Sequence, residues 1–204
     1  MKPPPAALTP LLGLLLGLLL TTLPVRAEPQ RYRLDPEHTS IGFLVFHIGY
    51  ERVLGLFRKS EGSFVFDEDS GELRDVRIVI DTDSVFTNHD KRDQHLRSKD
   101  FLNSAQYPQM IFTAATAERT GARSYKIHGD LTLIGKTRPL TLDFTWNKSG
   151  DYPLLLGGAF KPYVTGMSGR GVIKRSEFGM TYGVDNGWVG DEIELIIEFE
   201  AQRQ

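Results

Sequence analysis

The sequence contains no cysteine in its 204 residues. That excludes disulfides, thiolate metal sites, cysteine nucleophiles and a lipid anchor on a cysteine behind the leader. Neither charge sign is in excess, because the formal net charge is only -2. Such a balance argues against recognition of nucleic acid or of an anionic membrane surface by long-range attraction. There is no linker, low-complexity tract or repeat of fixed period. Methionine is scarce at 4, while Gly reaches 20 and Phe 12. Glycine punctuation with abundant phenylalanine leans towards β structure.

What is present begins with an address. Lys2 opens a short basic and proline-rich start, Leu11 to Leu20 is apolar, and Val25-Arg26-Ala27 ends on a small residue. This is the order of a secretory signal peptide. A membrane-spanning helix needs about 20 apolar residues, twice the length of this run. Residues 1–27 are therefore expected to be a cleaved signal peptide. Residues 28–204 are expected to form the mature domain, located in the periplasm. Removing residues 1–27 takes away Lys2 and Arg26 but no acid, so the mature chain is more acidic.

Period-2 alternation recurs along the mature chain. Val76, Ile78 and Ile80 alternate with Arg77, Val79 and Asp81. Ile193, Leu195, Ile197 and Phe199 alternate with a series rich in glutamate. Similar runs lie at Tyr125–Leu133 and Leu140–Trp146, and turn residues such as Asp67–Gly71 and Asp185-Asn186-Gly187 separate the runs. About eight strands in a meander are expected to close as an antiparallel barrel or sandwich. An outer-membrane barrel is disfavoured, because no aromatic girdle or terminal aromatic strand is present. Residues 88–103 break the pattern with helical composition, and Thr87 or Asn88 is suited to cap the start. Its only apolar residues are Leu96, Phe101 and Leu102, so it should lie over an open end of the sheet.

Motifs of chemistry are weak. The five histidines show no metal-ligand spacing, and no metal is expected. Gly129 to Thr137 imitates a phosphate loop, but its glycine spacing is wrong and a strand follows where a helix is required. Gly166 to Gly171 misses the nucleophile-elbow pattern and reads as a strand junction or bulge. No pair of carboxylates is placed for acid–base work. What remains is an apolar interior, including Leu142, Phe144, Phe178 and Leu195, that either fills a solid core or lines a cavity.

The residues between Tyr32 and Ala201 carry a resemblance. They include Asp35-Pro36, His38, Ser40 and the Gly55-x-Phe57 pair. Further along come Arg92-Asp93-x-His95-Leu96, Asp100-Phe101, Tyr107-Pro108, Gly129-Asp130-Leu131-Thr132-Leu133-x-Gly135 and Arg175-x-x-Phe178-Gly179. With these the chain resembles the YceI-like family of bacterial lipid-binding proteins. The resemblance implies an all-β fold, an eight-stranded antiparallel lipocalin-like barrel with one short helix near one end. It implies a pore that binds an isoprenoid lipid, either a prenyl diphosphate or an isoprenoid quinone, for transport or storage. The resemblance supplies no catalytic mechanism and no cofactor, so a binding protein and not an enzyme is expected. The alternatives are an enzyme that modifies an isoprenoid lipid or a stress-response protein with an incidental cavity lipid. The expected partners are the lipid and a transiently contacted membrane or membrane protein. On that reading Phe43, Val45, Phe57, Phe64, Phe66, Ile78, Ile80 and Phe112 form the tail-binding wall. His47 continues the parity of Ile41, Phe43 and Val45 as a polar group at one end of that face. Arg92, His95 and Arg175 are candidates for holding the headgroup.

Overall fold

A computed structural model of the protein describes Met1, residues 29–153 and residues 161–204. The signal-peptide assignment falls outside the described residues. The strands are β1 (Gln30–His47), β2 (Glu51–Phe57), β3 (Ser60–Asp67), β4 (Glu72–Asp81) and β5 (Val85–Phe86). After the single α-helix, α1 (Asp90–Arg97), come β6 (Gln109–Arg119), β7 (Ser124–Leu133), β8 (Lys136–Asp151), β9 (Tyr163–Lys174) and β10 (Val189–Arg203). Every pairing is antiparallel, and β10 returns to pair with β1, which closes the barrel. β2 and β3 together run along β1, through Val45↔Val53 and Tyr32↔Phe64. They therefore act as one bent stave, and the closed barrel has eight staves. The break falls at Arg58 and Lys59, whose N–H groups turn away to Ser84.

β1 sets the polarity of the barrel. Tyr32 lies near one end and Val45 near the other, with antiparallel partners in the same order. Inward side chains are apolar, and the outer face carries groups such as the Lys126–Asp143 ion pair. This is the reverse of an outer-membrane barrel.

At one end an aromatic plug fills the bore. Tyr32 stacks on Phe64 at 5.6 Å, and Phe66 meets Tyr125 and Trp146 edge-on at 6.2 and 5.2 Å. Below it, both Glu68 oxygens accept hydroxyl bonds, from Tyr32 at 2.8 Å and from Tyr163 at 3.0 Å. Burial, together with the Glu68 carboxylate, holds the Tyr32 hydroxyl well above the usual tyrosine range.

α1 covers the opposite end, called the helix end below. Its cap differs from both expected residues. Asn88 adopts a left-handed φ of 61°, and the Thr87 hydroxyl is occupied by Asp93 and Arg92. His89 caps instead, its Nδ1 accepting from the Arg92 N–H at 3.3 Å. Arg97 ties the helix down by donating to the carbonyls of Asp83 and Val85 at 2.7 and 2.9 Å. Leu96, Phe101 and Leu102 then face the bore.

The glycine-rich run 166–171 is not a junction. It lies inside β9, where Gly169 sits opposite Phe144. A Cβ on Gly169 would come within 2.4 Å of the Phe144 ring, so the ring lies flat across the bare backbone. Phe43 covers Gly55 in the same way, and a Cβ on that glycine would lie 2.1 Å from the ring.

Candidate functional site: an apolar bore and its rim

Between plug and helix lies a cavity of about 160 Å³, lined from all eight staves and from the helix end. Of the expected wall, Phe43, Val45, Phe57, Phe64, Ile78, Ile80 and Phe112 line it. Phe66 does not. It lies one step further along β3, within the aromatic plug, and is 1% exposed. Phe43 and Phe57 pack at 5.7 Å, and Phe64 and Phe144 both meet Phe199 near 6 Å.

His47 lies outside the cavity although its parity matches the wall. Val45 faces Ile193 on β10, but His47 faces Val189, so the register slips between them. His47 is the last residue of β1 and is exposed to solvent, while its partner Val189 still lines the cavity. Arg92 and His95 are also outside it. The Arg92 guanidinium is held by Thr87, with Nε on the hydroxyl and Nη2 on the carbonyl, both at 2.7 Å. His95 is hydrogen-bonded to Asp100 at 2.8 Å, and its ring meets Phe101 and Tyr182 edge-on. It braces the outer side of the roof.

Arg175 does reach the cavity, and it is 1% exposed. Nε donates to Gly190 O at 2.7 Å, Nη1 to Met180 O, and Nη2 to both Tyr182 O and Val189 O, each at 2.8 Å. Four of its five N–H donors are thus spent on the loop before β10 and on the first two residues of that strand. Burial lowers its pKa, which the field of Asp191 opposes. Its guanidinium also lies over the Phe101 ring, 5.7 Å from the centroid. Arg175 is the sole charged side chain among the described lining residues, and Thr39 is the other polar one. The Thr39 hydroxyl is spent on Asp35 O at 2.6 Å.

Several wall residues escaped the sequence reading, among them Met167, Ile173, Met180 and Val189. Met167 and Ile173 share a parity along β9, but the intervening glycines hide it. By contrast, Ile193, Leu195, Ile197 and Phe199 form the cleanest alternation in the sequence, and all four line the cavity.

Outside the bore, residues Asp35 to His38 bulge from β1, where the register with β10 jumps from Leu34 to Thr39. His38 Nδ1 meets Asp35 Oδ2 at 2.9 Å, and Glu200 lies 3.9 Å away. The bond to Asp35 raises the His38 pKa. Partial burial pushes the Asp35 carboxyl up, but hydrogen bonds from His38, Glu37 N–H and Gln202 outweigh it and leave it below the usual range. Asp35, His38 and Glu200 bring potential ligand atoms within 4.8 Å of one another, in the bulge between the cavity-lining residues Leu34 and Thr39.

Comparison with known proteins agrees with this geometry. A YceI-like domain model matches residues 32–201. A UPF0312 protein of Yersinia enterocolitica is 40% identical, over 95% of this chain and 96% of its own. The YceI protein of Campylobacter jejuni superposes with a TM-score of 0.67 at 30% identity, covering 78% of this chain and 90% of the other. Two more distant structures share the fold. Burkholderia cenocepacia BcnA has a TM-score of 0.71 at 21% identity, covering 82% and 98% of the two chains. A polyisoprenoid binding domain from Saccharophagus degradans has 0.61 at 13% identity, covering 87% and 100%. The match along almost the whole barrel, by sequence and by structure, shows that this chain belongs to the YceI-like family.

Proposed function

We propose that the protein binds the tail of an isoprenoid amphiphile in its bore and carries or stores it in the periplasm after residues 1–27 are removed. The observation that supports this most strongly is the cavity, which is apolar along its length, plugged at one end and roofed by a single helix at the other. The Saccharophagus domain of the same fold is described as polyisoprenoid binding. A catalytic role has little support in the wall, where the described lining residues include no acid, histidine or paired nucleophile.

The same set of lining groups bears on the headgroup. Arg175 retains one uncommitted N–H, which suits a single neutral acceptor such as a quinone carbonyl. It does not replace the hydration of a diphosphate. A diphosphate would stay in water beyond the helix end, with only its tail inside.

Burying apolar groups contributes about 0.8 kcal/mol for each CH₂. One isoprene unit of five carbons is therefore worth up to about 4 kcal/mol before immobilisation costs. Titration of delipidated, refolded protein with prenyl alcohols of increasing length should show affinity rising by at least about tenfold per unit until the bore is full. Affinity independent of tail length, with the protein folded by circular dichroism, would contradict the proposal.

A further inference from the structure

Exposed apolar side chains are distributed on this barrel in a way the cavity does not explain. Among the described residues other than Met1, every large exposed apolar side chain lies in the helix-end half. The most prominent are at two adjoining tips. Phe46, Ile48 and Tyr50, at the β1–β2 turn, are 52%, 49% and 90% exposed, and Trp188, just before β10, is 52% exposed. Ile48 N–H donates to Trp188 O at 2.9 Å, which joins the two tips.

Their position relative to the bore is specific. Val45 and Val189 line the cavity, and the next residue along on one and the previous on the other, Phe46 and Trp188, face out. The patch is thus the outer side of the rim whose inner side is the cavity wall. The backbone adds an independent observation. Ile48 holds a left-handed φ of 51°, which is costly for a β-branched residue. Ile134 has a similar φ of 50°, but its side chain packs against the core. Ile48 stands half exposed, so no core packing of that kind offsets its strain.

We propose that these two tips dock the helix end onto a lipid bilayer, so that an isoprenoid passes between membrane and bore without crossing water. The inference rests on the lipid-binding reading above. The shape and chemistry favour a bilayer over a protein groove or a second copy. The tips stand clear of the barrel, with open space about Gly49 and Gly187 and Tyr50 90% exposed, and Trp and Tyr, with an apolar ring and a polar edge, suit the boundary between headgroups and acyl chains. Arg52, next to the β1–β2 tip, is paired with Glu194, and the other charges flanking the tips in sequence, Glu51 and Asp185, are acidic, so the tips themselves present no run of cations. Attachment should therefore depend on apolar insertion and not on anionic lipid.

The test is flotation of the mature protein with phosphatidylcholine vesicles at low and high salt, with tryptophan emission recorded. Binding should survive high salt, and Trp188 emission should shift to the blue and be quenched by brominated acyl chains. The shift should vanish in Trp188→Phe, which keeps Trp146. Tyr50→Ser combined with Trp188→Ser should weaken partitioning by at least about tenfold. Ile48→Gly should weaken partitioning while raising the melting temperature, an opposition that a purely structural role for Ile48 would not produce. Uptake of a prenyl alcohol from detergent micelles needs no bilayer and reports on the cavity alone. If wild type takes up the alcohol from micelles but neither floats nor shifts, the docking surface is refuted while the cavity reading stands. Failure of the micelle uptake refutes the cavity reading instead. Dimers that dissociate in the double variant, without flotation, would assign the patch to a second copy and overturn the proposal.

Discussion

At the scale of single residues, Arg175 shows how a charge can sit in an apolar wall when its donors are committed to backbone carbonyls. Four backbone carbonyls from the loop before β10 and the start of that strand converge on it. Removing the guanidinium would leave those carbonyls buried without donors, at a cost of about 1–3 kcal/mol for each that finds no substitute. Arg175→Met is therefore expected to lose at least about 3 kcal/mol in urea unfolding, a larger effect than any change in headgroup preference. Tyr32 supplies a pH test. Its folded pKa is raised by burial and then by Glu68, while in the unfolded chain it ionises near the ordinary value of about 10. The stability it contributes is fully present below that value and is lost as pH rises towards the folded pKa. Alkaline unfolding should thus begin above about pH 10 and be less steep in Tyr32→Phe, as followed by circular dichroism.

At the scale of elements, the glycine-backed rings explain how broad phenylalanines fit a narrow bore. Gly169→Ala places a methyl against the Phe144 ring and should cost about 1–3 kcal/mol by overpacking, read from the thermal or urea midpoint. Alternation along single strands was legible in the sequence. Val76, Ile78 and Ile80 face the bore opposite exposed Arg77, as their period-2 pattern requires. The stretch 88–103 likewise carried its three apolar residues to the roof, but only Asp90–Arg97 of it is helix, and Phe101 and Leu102 reach the roof from the turns that follow. Features that depend on a partner strand were not legible. The register shift between Val45 and His47 lies in the pairing with β10, and the use of Gly169 depends on Phe144, many residues away. Phe66 shows the same limit: its parity is correct, but its depth along the bore is set by where the plug begins.

At the scale of the whole molecule, the two ends of the barrel differ in kind. The plug end is closed by stacked aromatics and a Glu68 bridge between Tyr32 and Tyr163. The helix end is built from a short helix and two tips, with the exposed apolar residues gathered beside it. A ligand is therefore expected to enter and leave at the helix end. The central claim, that the bore holds an isoprenoid tail, is tested most directly by mass spectrometry of lipid extracted from the protein purified without detergent from its native cells. The account predicts a stoichiometric isoprenoid, chemically unaltered, in wild type and in Arg77→Gln. It predicts loss of that lipid from Ile78→Asp, which places a carboxylate in the wall. Recovery of folded wild-type protein with no isoprenoid, and no uptake of one when it is supplied, would contradict it.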